Sequence, residues 1–135
     1  MRRTVLLGCL AALAAAGPSA GASRPAFKAV LTAPGHTPKV SSVWRYHVRV
    51  TGPTGRPIWA SITSQIVDPL GGVHPVEFDG PGHNPYVTNY RFFGTFCDSI
   101  TWPRSSAVGV KLTFRTVIVT ASGRTVLTYP VSPRA

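Results

Sequence analysis

Acidic residues are scarce. Only Asp68, Glu77, Asp79 and Asp98 stand against 14 Lys and Arg in 135 residues, for a net charge of +10. Four carboxylates leave little for a calcium site, which needs several oxygen ligands. They also leave little for a glycosidase pair, which needs two acids across a cleft. Each of the four lies in or beside a turn, where Asp commonly caps backbone N–H groups. Cysteine is scarcer still, with Cys9 and Cys97 alone. No run reaches the ~18 apolar residues needed to span a bilayer. Helix signals are missing, because Gly and Pro, 13 of each, interrupt every window that could carry a 3.6-residue period. There is no Gly-x-Ser-x-Gly, phosphate loop or dinucleotide fingerprint. The length suits one domain, and the 44% hydrophobic content suits a packed core.

The N-terminus has the form of an address. Arg2 and Arg3 precede an uncharged Leu/Ala stretch from Thr4 to Ala16, which Gly17 and Pro18 break. Ala20-Gly21-Ala22 then offers small residues where a signal peptidase reads. A secretory signal peptide over 1–22, cleaved after Ala22, is expected, with the domain over 23–135. An uncleaved membrane anchor, a twin-arginine signal and lipidation at Cys9 are the weaker alternatives. The segment is too short for the first, and the apolar stretch follows Cys9 rather than preceding it. Cleavage leaves 113 residues, a charge of +8 and Cys97 as the one cysteine. A single cysteine cannot staple an exported domain, so the core alone must hold it.

What is present is period-2 alternation. Trp44, Tyr46, Val48 and Val50 alternate with Arg45, His47, Arg49 and Thr51. That pattern gives a strand with one buried and one wet, basic face. Gly52-Pro53-Thr54-Gly55 turns the chain. Ile58, Ala60, Ile62, Ser64 and Ile66 then alternate with Trp59, Ser61, Thr63 and Gln65. Short strands are also expected at 27–31, 73–78, 86–96, 108–120 and 125–131. Pro75 confines the 73–78 strand to an edge, and the last two form a hairpin. About seven short strands predict an all-β, antiparallel two-sheet sandwich, with a small barrel as runner-up.

The chain here resembles the immunoglobulin-like or fibronectin-type-III-like modules of secreted bacterial proteins. The likeness rests on Gly55-Arg56-Pro57-Ile58 between two strands. It rests also on Trp102-Pro103 followed by Gly109, Leu112, Val117, Val119 and Gly123. It departs from antibody-type domains in lacking the intersheet cysteine pair. The resemblance implies a non-catalytic binding or spacer module, although a fold does not fix a function.

Several constellations bear on chemistry. Cys97 with His36, His47, His74 or His83 could form a thiol–imidazole pair, but no known motif surrounds it. A buried, inert thiol is the favoured expectation, with a Cys97-linked dimer as the exception to a monomer. His74, Glu77, Asp79 and His83 have ligand chemistry for zinc or copper. They match no site spacing, so neither metal nor cofactor is expected. Aromatic residues crowd the middle of the chain, and Trp59, Tyr90 and Trp102 are the candidates for stacking on a ligand. Trp59 is out of phase with Ile58, Ala60 and Ile62 and should face solvent. Arg45 and Arg49 mark one cationic strand face, and Lys111 and Arg115 another.

Such faces attract anionic polymers. With an export signal, the expected partners are anionic envelope polymers or polysaccharide rather than nucleic acid. The leading expectation is therefore a secreted or envelope-associated, non-catalytic binding or spacing module. A carbohydrate-binding module using exposed aromatics is the first alternative. A small secreted enzyme using Cys97 or the His74–His83 region is the second.

Overall fold

A computed structural model of the chain describes residues 26–78, 88–102 and 108–135. The expected signal peptide with Cys9, and Asp79 and His83 of the histidine-rich loop, lie outside the described residues. Eight strands and no helix are found among those described. They are β1 (Lys28–Thr32), β2 (Val43–Thr51), β3 (Trp59–Val67), β4 (Val73–Val76), β5 (Tyr90–Phe93), β6 (Thr95–Thr101), β7 (Leu112–Thr120) and β8 (Gly123–Val131).

Two antiparallel sheets pack face to face. One has the order β1-β2-β6, and the other β4-β3-β7-β8. Strand β7 lies along one edge of β3, and the opposite edge is shared. There β5 pairs with Trp59–Ile62, and β4 pairs with Ser64–Val67. The expected sandwich is thus the observed architecture. Pro75 sits in edge strand β4, where its missing N–H costs no ladder bond.

The strand count differs because the described part of the expected 86–96 strand, residues 88–96, is divided between β5 and β6. Gly94 separates β5 from β6 and carries the chain from the larger sheet to the smaller. Its φ of 72° is in the left-handed region. Its N–H donates to the Ile58 carbonyl at 3.0 Å, and its carbonyl accepts from the Val50 N–H at 2.7 Å. The crossover is therefore hydrogen-bonded to both sheets. Residues 97–101, with no alternating hydrophobic pattern, become strand because β2 supplies a ladder for them.

The core fills the space between the inner faces. Trp44 is its hub, with ring centroids 5.7 Å from Trp102, 5.3 Å from Phe114, and 5.9 Å from both Tyr46 and Tyr129. Tyr46–Phe114 and Phe78–Phe96 extend the cluster in edge-to-face geometry. Such pairs contribute about 0.5–1.5 kcal/mol each beyond simple burial. The segment after β8 is tied down too. Ser132 and Arg134 donate backbone bonds to His36 and Pro38, and Val40 donates back to Arg134.

Candidate functional site

The alternation of β2 decides what the smaller sheet shows to solvent. Trp44, Tyr46, Val48 and Val50 are buried, so Arg45, His47 and Arg49 must point outward. The register brings further residues beside them. Lys28 lies opposite Thr51, Ser99 opposite Arg45, Cys97 opposite His47, and Thr95 opposite Arg49. The outer face of β1-β2-β6 therefore carries Lys28, Arg45 and Arg49, with no carboxylate among its described strand residues.

The described acids are elsewhere. Asp68 caps the β3–β4 turn, its Oδ1 accepting the N–H groups of Leu70 and Gly72 at 2.9 and 2.8 Å. Its Oδ2 lies 3.0 Å from His74 Nε2. The bond from His74, then that from Gly72, hold the Asp68 carboxyl below its usual range. Glu77 is exposed beyond the end of β4. Asp98 does not cap a turn, contrary to expectation. It lies within β6 at the inward parity, where Tyr46 Oη donates to its Oδ2 at 3.0 Å. Buried Ser64 also reaches the Tyr46 hydroxyl, at 3.2 Å. Burial pushes the Tyr46 hydroxyl far above the ordinary tyrosine range. The bond to Ser64 opposes this, and the Asp98 charge adds to it.

The expected cationic stripe on β7 is only partly present. Lys111 precedes the strand, which begins at Leu112. Arg115 is half-buried and donates to Gln65 Oε1 at 3.0 Å from Nε and at 2.6 Å from a terminal nitrogen. It is committed to its neighbour.

Cys97 is exposed, not buried. It shares the outer face with its register partner His47, while Asp98 turns to the inner face. No hydrogen bond joins the thiol to the imidazole among the described residues, and no acid orients His47 from that face. His74 and Glu77 do not converge with further ligands among the described residues. Among the described residues, no three His, Cys, Asp or Glu side chains are placed to hold a metal ion.

The aromatic candidates separate sharply. Trp102 is 1% exposed and belongs to the core. Tyr90 packs half-buried against that core, its ring 5.4 Å from Phe96. Trp59 is 56% exposed, as its phase requires. Its register partner on β5 is Phe93, itself 53% exposed, with ring centroids 5.4 Å apart. The Arg91 guanidinium lies 4.7 Å above the Trp59 ring. A cleft of about 400 Å³ adjoins this trio, walled by Tyr90, Phe92, Phe96, Thr95 and Asp98 among others. Arg91 escaped the sequence reading because nothing in its local pattern marks it. Only the β3–β5 register places it over Trp59.

Compared with protein-family models, curated proteins and solved structures, the chain matches none of them. The class of protein is set by the fold, a two-sheet antiparallel sandwich. Its function has to be argued from its own surface.

Proposed function

We propose that the protein is an exported, non-catalytic binding module that attaches to anionic polymers at the cell envelope or outside the cell. The observation that carries this is the outer face of β1-β2-β6. Lys28, Arg45 and Arg49 stand on it together, and the ladders that position them bring no carboxylate to the same face. A face of one sign attracts an oppositely charged polymer over a range set by the ionic strength. An immunoglobulin-like sandwich is part of this proposal, and the partition of strands supports it. Strands β1, β2 and β6 share one sheet and β3, β7 and β8 the other, like strands A, B, E and C, F, G of that fold. The short strands β4 and β5 both pair with β3. Export is supported by the signal-like residues 2–22.

The test is retention on heparin–agarose across a salt gradient. The unmodified protein should bind at low salt and elute as salt rises. The triple variant Lys28→Gln/Arg45→Gln/Arg49→Gln should elute at clearly lower salt. A control with Lys111→Gln/Arg115→Gln, outside the β1-β2-β6 sheet, should lose less. Equal elution of the triple variant and the unmodified protein would overturn the proposal.

A further inference from the structure

We infer that the corner formed by Trp59, Phe93 and Arg91 is a second binding site, distinct from the cationic face, and that it takes an acidic saccharide. Three features point to this chemistry. Trp59 stays more than half exposed even with the Arg91 guanidinium lying over it. A large apolar ring left in water by a small domain is available for stacking on another flat apolar surface. The C–H face of a pyranose is one. Phe93, tilted 57° to the indole, gives a second wall rather than a continuation of one plane.

Next, Arg91 makes no ion pair among the described residues. Its cation–π contact holds the guanidinium in place without consuming its hydrogen-bond donors. A positioned fork of N–H donors matches a carboxylate in bidentate fashion. A uronate carries such a group on the ring that would stack on Trp59.

Finally, the adjoining cleft is of a size for a small ligand, about 400 Å³. Its wall includes Thr95 beside its aromatic rings, and a hydroxyl there suits the hydroxyls of a sugar. A neutral glycan would leave Arg91 without a partner.

The site is tested with soluble oligogalacturonate, a hexuronic acid oligosaccharide. Binding is followed by calorimetry and by tryptophan emission in about 0.5 M NaCl, where attachment to the cationic face is screened. A neutral cello-oligosaccharide and vesicles of phosphatidylglycerol serve as comparisons. Trp59 is the exposed indole, while Trp44 and Trp102 are buried, so a ligand at the corner should change its emission. Saturable binding of oligogalacturonate is expected, and Trp59→Ala should weaken it roughly tenfold. Arg91→Gln should weaken oligogalacturonate and not the neutral sugar. Both substitutions are at the surface, and unchanged circular dichroism should verify their folding.

No saturable binding of the uronate would overturn the inference. So would equal affinity in Trp59→Ala, or binding confined to the vesicles. The triple variant Lys28→Gln/Arg45→Gln/Arg49→Gln should keep this site intact. Failure here and failure of the electrostatic proposal are therefore separate results.

Discussion

The Tyr46 hydroxyl lies 3.0 Å from Asp98 Oδ2, its own register partner across the β2–β6 ladder, and spans the interior to reach Ser64 of the opposite sheet. One side chain thus ties the two sheets together with polar contacts inside an aromatic core. Tyr46→Phe keeps the ring and its packing but leaves the fully buried Ser64 hydroxyl without this partner. The cost should be about 1–3 kcal/mol, read from the urea midpoint.

The same hydroxyl sets an alkaline limit. Its pKa in the folded state is raised, chiefly by burial. The unfolded chain therefore loses this proton first as pH rises. The stabilisation is complete below about pH 10, the value for an unfolded tyrosine, and falls as pH climbs past it. Stability followed by urea unfolding should decline above that point. The decline should be shallower in Tyr46→Phe.

The crossover at Gly94 should tolerate no side chain. A Cβ there would stand 2.7 Å from the Pro57 Cβ, and its φ of 72° is itself costly for other residues. Gly94→Ala should therefore lose about 2–4 kcal/mol, combining strain with overpacking. Gly55 offers the comparison, with a φ of 78° and nothing within 4 Å of a built Cβ. Gly55→Ala should lose only about 1–2 kcal/mol. Equal losses in the two variants would show that the contact with Pro57 contributes nothing.

At the acid end, Asp68 is the group to watch. Its folded-state pKa is lowered, first by the bond with His74. Its contribution is present above the unfolded value near 3.8 and is lost as pH falls through and below it. The turn is open to solvent, so the effect should be small. Melting temperatures measured between about pH 6 and pH 2 should fall less steeply in Asp68→Asn.

Cys97 should behave as a surface thiol. Iodoacetamide should modify it in the native protein at a rate close to that in urea, with the modified peptide identified by mass spectrometry. Cys97→Ser should leave the melting temperature unchanged, because no core contact is lost. Strong protection in the native state would contradict its exposed position on β6.

The inward faces of β2 and β3 were legible from alternation alone. A period of two assigns Trp44, Tyr46, Val48 and Val50 to one side without reference to any partner. The same rule left Trp59 outside, and Pro75 marked its strand as an edge. Residues 97–101 carry no such pattern. Ser99 and Thr101 are small polar residues that accept a strand once β2 is beside them. The facing of Cys97 and the inward turn of Asp98 follow from that ladder and could not be read locally. Arg115 gave a cationic signal that its bond to Gln65 takes up, because the two residues meet only in the β3–β7 register.

The scarcity of acid, the glycines and prolines, and the two-residue period determined an all-β, basic domain. Composition and periodicity are properties of the chain itself, so no folding was needed to see them. Which residues became neighbours was decided by tertiary structure. Strand register set Arg91 over Trp59, Cys97 beside His47, and Asp98 against Tyr46. Register is fixed by matching whole faces across the sandwich, with a slip of one residue turning each core side chain outward. That constraint acts between distant segments, and it gathered the scattered charges and rings onto shared surfaces.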